Sequence, residues 1–252
     1  MSTNVTSVTI PPIEAFDELD STNAEARRRA EAGEAGPMWI AAARQTAGRG
    51  RRGRAWETGE GNLAATYLFA TPKPPGEAAQ MSFVAALAVA DLATAFVPTP
   101  LVALKWPNDL LVGGHKAAGI LVESGPAAAG GLWVAVGIGI NLASAPAAAD
   151  RPATTFSDHM RAPPPKPLEA LNVLADAFER WRAIWEGAGF PVIARAWTAR
   201  AHGLGGPCAA HLTDETVRGV AEGLDEDGAL RLRTAAGTVR RITAGDVFFG
   251  DA

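Results

Sequence analysis

An arginine- and glycine-rich segment is the strongest chemical signal in this sequence. Residues 44–54, Arg-Gln-Thr-Ala-Gly-Arg-Gly-Arg-Arg-Gly-Arg, contain five arginines, three glycines and no acidic residue, whereas the whole chain carries a formal charge of −4. Glycine lets the backbone approach a ligand closely, and guanidinium groups bind phosphate or carboxylate oxygens in pairs. These residues, here called the arginine loop, predict a binding site for an anion.

Two well-known phosphate-binding motifs are excluded by the residues that surround this loop. Residues 48–53 match the G-x-G-x-x-G spacing of dinucleotide-binding proteins and lack the Lys-Ser/Thr ending of a P-loop. Residues 56–62 are too rich in glycine to begin a helix, and no acidic residue ends the next predicted strand, 63–70. A solvated basic loop or an RNA-binding patch is the alternative at this point.

Other polar residues occupy positions that suggest a binding role in addition to a structural one. Lys105 and Lys116 lie at the edges of apolar segments, where an ammonium group snorkelling at a strand end is the structural alternative. Ser21-Thr-Asn23 precedes a predicted helix, 24–32, and offers neutral donors and acceptors to a small ligand. Thr22 and Glu25 also have the spacing of a helix capping box.

Composition limits the class of protein. With 252 residues, of which 48% are hydrophobic, the chain can bury one sizeable core and a second small one. A pI near 5.6 argues against a dedicated nucleic-acid-binding domain. The single cysteine, Cys208, excludes an internal disulfide and a cysteine-rich zinc site. No signal-peptide pattern is present, and the apolar run 81–97 is short for a membrane span, so we predict a cytoplasmic protein without membrane association.

The elements that must position these residues follow from periodicity and turn signals. Apolar patterns predict strands at 13–19, 39–44, 63–70, 115–123 and 132–142, a hairpin within 101–112, and helices at 24–32, 81–97, 168–185 and 191–201. After residue 204 the sequence pattern changes and predicts five short strands separated by turns, which is typical of a small antiparallel barrel. We predict two domains, 1–204 and 205–252.

Five motifs in one order give the sequence a resemblance to a known family. They are Ser21-Thr-Asn23, Gly48-Arg-Gly-Arg-Arg-Gly-Arg-Ala-Trp56, Lys105-Trp-Pro-Asn-Asp109, Lys116-Ala-Ala-Gly-Ile-Leu-Val-Glu123 and Gly137-Ile-Gly-Ile-Asn141. Together they resemble the motifs of biotin protein ligases. The predicted C-terminal strands also resemble the small C-terminal domain of this family, by their strand-and-turn pattern and not by a sequence motif. The resemblance implies an α+β fold: a mixed β-sheet flanked by helices, similar to class II aminoacyl-tRNA synthetases, followed by a small C-terminal SH3-like β-barrel.

The resemblance also implies a function. Members of this family activate biotin with ATP and Mg²⁺ to biotinyl-5′-AMP, and they pass biotin to one lysine of the biotin carboxyl carrier protein of acetyl-CoA carboxylase. Some members carry an N-terminal helix-turn-helix repressor domain; since 20 residues precede Ser21, we expect no DNA-binding domain here. The sequence leaves a homodimer open. The rival hypotheses are a lipoate or octanoate protein ligase and an RNA-binding module that uses the arginine loop.

Biotin-binding roles are carried over from the family motif by motif. The resemblance implies that neutral side chains bind the ureido ring of biotin, that the arginine loop folds over the ligand, and that Arg51 and Lys116 contact the activated carboxyl group. The residues assigned to biotin are Ser21, Thr22, Asn23, Gln45, Arg49, Gly50, Arg51, Lys116 and Gly119.

Roles on the nucleotide side are carried over in the same way. Arg51 is assigned to the α-phosphate, Trp56 to stacking on adenine, and Lys105 and Asn141 to further nucleotide contacts. Asp109 is expected to orient the attacking lysine of the carrier or to help hold magnesium, and the sequence does not separate these roles. We count Arg51, Lys116 and Asp109 as the catalytic candidates and predict no metal site built by the protein alone.

One departure from the family pattern follows Trp56. The family commonly has a Ser-Pro pair there, and this chain has Glu57-Thr58. We expect the change to fall at the edge of the adenine side, away from the reacting groups.

Overall fold

A computed structural model describes residues 9–146 and 152–250 and shows two β-sheets with helices packed on the larger one. The larger sheet has seven strands in the order β1-β2-β3-β7-β6-β5-β4. Its strands are β1 (Ile13–Leu19), β2 (Met38–Gln45), β3 (Leu63–Thr71), β4 (Val102–Lys105), β5 (Asp109–Val112), β6 (His115–Pro126) and β7 (Leu132–Ile140). The helices are α1 (Thr22–Glu31), α2 (Pro75–Ala78), α3 (Met81–Phe96), α4 (Pro167–Ala188) and α5 (Phe190–Thr198).

The sheet is mixed, as predicted. β1 and β2 pair in parallel through the crossover helix α1, and the other neighbours pair antiparallel, including the predicted hairpin of β4 and β5. The arginine loop connects β2 to the antiparallel β3 and contains only a short 3-10 turn, Arg51–Gly53. This arrangement agrees with the exclusion of a dinucleotide-binding fold, in which a helix would follow the glycines.

Strand periodicity divides the sheet into two faces. One face packs against α3 and α4 and contains an aromatic group in which the Tyr67 ring centroid lies 5.1 Å from that of Trp39 and 4.8 Å from that of Phe178. The opposite face is covered partly by α1, which packs on Met38. Because successive side chains alternate, Thr66 points to this second face, next to the N-terminus of α1.

Helix α3 is the buried helix that the apolar run predicts. Residues Pro75–Phe96 are long and apolar enough to cross a membrane by length and composition alone. Most of this stretch is buried inside the fold. The one acid of α3, Asp91, is 2.8 Å from Trp181 Nε1 and 2.6 Å from Arg200 Nη1. These are features of the core helix of a folded domain.

The C-terminal strands form a second, fully antiparallel sheet. Its strands are β8 (Pro207–His211), β9 (Thr216–Leu224), β10 (Leu230–Arg233), β11 (Val239–Ile242) and β12 (Asp246–Phe249), in the order β11-β10-β9-β8-β12. One apolar core continues from the large sheet into this one, and Trp106 Nε1 donates to Gly228 O at 3.0 Å across the junction. The predicted domain boundary near residue 204 falls between α5 and β8 and stays a prediction.

Candidate active site

A cleft of about 850 Å³, including its open mouth, lies on the α1 side of the large sheet. Its walls are the N-terminus of α1, the strands β6 and β7, the arginine loop and the start of β12. Most of the residues singled out in the sequence meet here: Ser21, Thr22, Asn23, Gln45, Arg49, Gly50, Arg51, Trp56, Asp109, Lys116 and Gly119.

One end of the cleft is a hydrogen-bonded set of uncharged side chains. Gln45 Oε1 accepts from Thr22 N at 2.8 Å and from Thr22 Oγ1 at 3.2 Å. Thr66 Oγ1 lies 2.8 Å from Thr22 Oγ1 and 2.7 Å from Asn23 Oδ1. We call Ser21, Thr22, Asn23, Gln45 and Thr66 the neutral end of the cleft. Because its members hold one another, the neutral end is formed before a ligand arrives.

The N-terminus of α1 differs from the capping box that the sequence suggested. Ser21 is the N-cap residue, its hydroxyl accepts weakly from Ala24 N at 3.5 Å, and the helix begins at Thr22. Glu25 bonds to Arg28 and Arg29 instead of turning back to the cap. A capping box at Thr22 is therefore wrong, and the Thr22 side chain is directed into the cleft.

The departure after Trp56 has a contact that the sequence did not suggest. Gln45 Nε2 donates to Thr58 Oγ1 at 3.0 Å. Thr58 therefore supports the neutral end, and its position relative to adenine stays a prediction.

Glycines make the floor of the cleft. Gly137 and Gly139 lie on the cleft face of β7, two residues apart, because successive positions of a strand alternate between its faces. A Cβ atom on Gly137 would collide with Asn23 Oδ1, and one on Gly139 would collide with the Trp56 indole. A Cβ on Gly119 would lie 3.1 Å from the same indole. The glycines therefore let Asn23 and Trp56 lie against the sheet.

Two of the three catalytic candidates form an ion pair in the cleft. Lys116 Nζ lies 2.5 Å from Asp109 Oδ1, and 5.7 Å from the Trp56 ring centroid. Asp109 is almost fully buried, whereas the Lys116 side chain is 30% exposed. Since a buried carboxylate is costly without a counter-charge, Lys116 stabilises Asp109 while keeping its ammonium accessible to a ligand.

Two arginines of the loop contact the large domain. Arg49 Nη2 donates to Glu123 Oε2 at 3.2 Å, and the same carboxylate oxygen accepts from Asn23 Nδ2 at 2.7 Å. Arg51 Nη1 donates to Asn108 Oδ1 at 3.2 Å. Burial lowers the pKa of Arg51, although a guanidinium keeps its charge at neutral pH. The neutral end and the arginine loop thus share Glu123.

The next two arginines contact the C-terminal sheet. Arg52 Nη1 lies 3.4 Å from Asp246 Oδ2, and Arg54 forms an ion pair with the same oxygen. Asp246 begins β12 and lines the cleft. Within the loop, Gly50 N donates to Arg54 O at 2.7 Å. The loop therefore forms a narrow turn between the arginines that contact the large domain and those that contact Asp246.

Two predicted nucleotide residues do not line the described cleft. Lys105 is the cross-strand neighbour of Asp109, but its Nζ lies over the Phe248 ring, 5.7 Å from the centroid. Asn141 is buried behind the glycine floor, and its Nδ2 donates to Thr154 O at 3.2 Å. The Asn141 Oδ1 has no partner among the described residues. Their nucleotide contacts stay predictions.

Some residues of the site were not assigned a role from the sequence. Asn108 and Glu123 lie inside two of the quoted motifs, so their positions were visible although their contacts were not. Thr66 lies in the predicted third strand, and strand alternation with Ala64 could have indicated the cleft face. For Asp246 the sequence gives no signal, because its contact with the loop spans 192 residues.

Comparisons with known proteins agree on one family. A model described as "Biotin/lipoate A/B protein ligase family" matches residues 16–141, and "Biotin protein ligase C terminal domain" matches residues 203–250. A biotin–[acetyl-CoA-carboxylase] ligase of Paracoccus denitrificans is 46% identical over 92% of this chain and 98% of its own length. One of Mycobacterium tuberculosis is 32% identical over 93% of this chain and 88% of its own length.

The fold also agrees with a solved structure. A biotin protein ligase from Aquifex aeolicus in complex with biotin and ATP superposes with a TM-score of 0.78 at 24% identity, covering 95% of this chain and 99% of that one. At this identity the likeness shows the fold, and it confirms the α+β class with a mixed sheet and a C-terminal antiparallel sheet.

Proposed function

Because the chain belongs to the biotin protein ligase family, we propose that it activates biotin with ATP to biotinyl-5′-AMP and transfers biotin to a lysine of the biotin carboxyl carrier protein of acetyl-CoA carboxylase. The observation that carries this proposal is one continuous cleft with a neutral end, a central lysine and a cationic loop. Biotin has the same order of groups: an uncharged ureido ring, an aliphatic chain and a carboxylate.

The first reaction joins two anions, and the cleft supplies the cations that this requires. A biotin carboxylate oxygen attacks the α-phosphorus of ATP, and the bond from that phosphorus to the pyrophosphate oxygen breaks. Lys116 is accessible beside the floor glycines, and Arg51 lines the same cleft, held by Asn108. Fixed cations reduce the repulsion and stabilise the charge that develops in the transition state.

The second reaction transfers the acyl group to an amine. The ε-amine of the carrier lysine attacks the acyl carbon of biotinyl-5′-AMP, the bond to the AMP oxygen breaks, and the nitrogen loses a proton. Asp109 is the carboxylate of the described cleft nearest to Lys116, and we propose that it orients the incoming lysine. That role requires Asp109 to exchange one ammonium partner for another as the carrier docks.

Magnesium is proposed to enter with ATP. The described residues contain no group of three or more His, Cys, Asp or Glu side chains that could hold a metal ion, and Asp109 already has Lys116 as its counter-ion. The side chains of the cleft therefore do not fit a resident magnesium site. Magnesium commonly binds through substrate phosphates with few protein ligands, which is compatible with its arrival as MgATP.

The neutral end favours biotin over lipoate. Thr22 and Asn23 are buried and Gln45 is half-buried, and their donors and acceptors match the N–H and C=O groups of a ureido ring. The dithiolane ring of lipoate has no such groups and would leave these side chains unpaired, which costs free energy. The RNA-binding hypothesis gives no role to the uncharged groups at the other end of the same cleft, which the ligase proposal uses.

The test is isotope exchange of pyrophosphate into ATP. We expect exchange that requires biotin and is absent with lipoate, followed by biotin transfer to a purified carrier domain. Equal exchange with both acids would remove the specificity for biotin, and RNA binding without any exchange would support the rival class. A cytoplasmic location, independence of membranes and the homodimer stay predictions.

A further inference from the structure

The C-terminal sheet contributes one carboxylate to the active-site cleft. Asp246 is at the first position of β12, and its side chain, 19% exposed, contacts Arg52 and Arg54 of the arginine loop. Arg49 and Arg51 contact the large domain instead. The loop therefore lies between the large domain and the C-terminal sheet, and the sheet holds two of its arginines through one carboxylate.

The backbone of the loop indicates that Arg52 is held in place. Arg52 has φ = 56°, and it is the one non-glycine residue of the described chain with a positive φ. This left-handed conformation is unfavourable for a residue with a Cβ, and it persists where the surroundings impose it. The contact of Arg52 with Asp246 is an interaction that imposes it from the C-terminal side.

We propose that Asp246 is a positioning residue that holds the arginine loop closed over the cleft, so that the C-terminal sheet controls how long the reaction intermediate stays bound. The ion pairs from Asp246 to Arg52 and Arg54 are here called the Asp246 latch. This inference rests on the proposed ligase function, because it concerns retention of biotinyl-5′-AMP.

Simple electrostatics predicts the opposite of the latch. Asp246 is an acid in a cleft that binds anions, so its removal should by charge alone tighten the binding of ATP and of the adenylate. The latch predicts faster loss of the adenylate, because the loop opens more often. Whether Asp246→Asn releases the adenylate more slowly or faster than the native protein therefore separates a general charge effect from a positioning role.

The first experiment measures the loop without any ligand. Trypsin cleavage after Arg49 and Arg51 is followed by mass spectrometry in the full chain, and these two sites are kept in every variant. We expect Asp246→Asn to be cleaved about three- to tenfold faster than the native protein, the range for losing two exposed ion pairs. The matched control is Glu222→Gln, which removes a carboxylate between Arg231 and Arg233 within the same sheet. The control should be cleaved at the native rate.

The second experiment measures release of preformed biotinyl-5′-AMP. Release from Asp246→Asn should be about three- to tenfold faster than from the native protein and from Glu222→Gln. Arg54→Gln removes one ion pair of the latch from the loop side and should also accelerate release of the adenylate. It replaces Asp246→Asn in the experiment if Asp246→Asn does not fold. In the double variant the two effects should not multiply, since they remove one interaction.

The outcomes separate the two proposals. Native rates of cleavage and release in Asp246→Asn, slower release, or fully multiplicative effects in the double variant would each overturn the latch. If the native protein forms no adenylate, the ligase function fails, while the trypsin experiment still decides whether Asp246 holds the loop.

Discussion

The two ends of the cleft are built from different interactions. At the neutral end, Thr22, Asn23 and Thr66 are at most 4% exposed, and hydrogen bonds join them to one another, to Gln45 and, through Asn23, to Glu123. In the arginine loop, the arginine side chains that form ion pairs are 39–67% exposed. Buried hydrogen bonds are costly to break, whereas exposed ion pairs are weak and sensitive to salt.

This difference assigns separate tasks to the two ends. The neutral end is rigid and can discriminate by shape and hydrogen bonding, because a wrong ligand leaves buried groups unpaired. The arginine loop is held by the carboxylates of Glu123 and Asp246, which occupy its guanidinium groups while no ligand is bound. A substrate phosphate or carboxylate can exchange with these groups at little cost, so the loop suits capture and release.

The largest expected effect lies at the junction of the two ends. Lys116→Ala should reduce formation of biotinyl-5′-AMP by about 10²-fold or more, the typical loss for a group that stabilises transition-state charge. Single-turnover adenylation with labelled ATP measures it. The substitution also leaves the buried Asp109 without its counter-ion, which lowers stability.

A charge-neutral pair of substitutions separates these two consequences. Lys116→Met combined with Asp109→Asn removes the unpaired charge and should recover much of the thermal stability without recovering adenylation. Recovery of adenylation in the double variant would mean that Lys116 serves only to neutralise Asp109.

The second prediction compares two floor glycines. Gly137→Ala would place a methyl group against Asn23 Oδ1, and Asn23 is fixed by Thr66 and Glu123. We expect the KM for biotin to rise by about tenfold or more, in line with the loss of one or more buried hydrogen bonds. Gly139→Ala pushes on the Trp56 indole and should change the KM for ATP more than that for biotin. Steady-state exchange assays give both constants, and equal effects of both substitutions on both substrates would erase the distinction between the ends.

Much of the neutral end could be predicted from the sequence because its parts are local. The predicted strand 13–19 matches β1 at both bounds, and Ser21-Thr-Asn23 follows it directly, at the start of the crossover helix. Leu19 and Gln45 are partners in the parallel pair of β1 and β2. Because α1 begins at Thr22, soon after Leu19, this pairing brings Gln45 close to Thr22. Periodicity therefore predicted the elements that position this end, whereas the role of Gln45 came from the family resemblance.

The arginine loop could be identified but not placed. Its composition predicted an anion site, whereas its position depends on Asp246, which no local pattern connects to it. The capping residue of α1 was misassigned for a similar reason. Thr22 and Glu25 have the right spacing, but Arg28 and Arg29 compete for Glu25, and that competition depends on side-chain geometry.

The third prediction uses salt to separate the ends. Raising NaCl from about 0.05 M to about 0.5 M should accelerate release of biotinyl-5′-AMP several-fold, because exposed charges are screened over shorter distances at higher ionic strength. Binding of biotinol, an analogue with an alcohol in place of the carboxylate, depends on the neutral end and should change little. Calorimetry for biotinol and a chase experiment for the adenylate make the comparison. The same salt dependence for both ligands would show that the ends are not energetically distinct.

The smallest expected effect concerns the support of the neutral end in acid. Asp20 precedes Ser21, accepts from Ser21 N at 2.7 Å and binds Arg28 through both carboxylate oxygens at 2.8 Å. The hydrogen bonds from Arg28 lower the pKa of Asp20 from 3.8 to about 2. A carboxylate with a lowered pKa in the folded state contributes stability that is complete above the unfolded value and is lost as the pH falls through the folded value. The contribution of Asp20 should therefore disappear between about pH 4 and pH 2.

Urea unfolding of Asp20→Asn and the native protein measures this contribution. The native protein should be more stable at pH 6, by no more than about 1 kcal/mol because the pair with Arg28 is about half exposed, and the difference should shrink toward pH 2. Glu31→Gln removes an exposed acid from the other end of α1 and controls for the loss of one negative charge. A stability difference between Asp20→Asn and the native protein that stays constant from pH 6 to pH 2 would contradict this prediction. It would mean that the charge of Asp20 does not contribute to stability and that the ion pair with Arg28 does not support the neutral end.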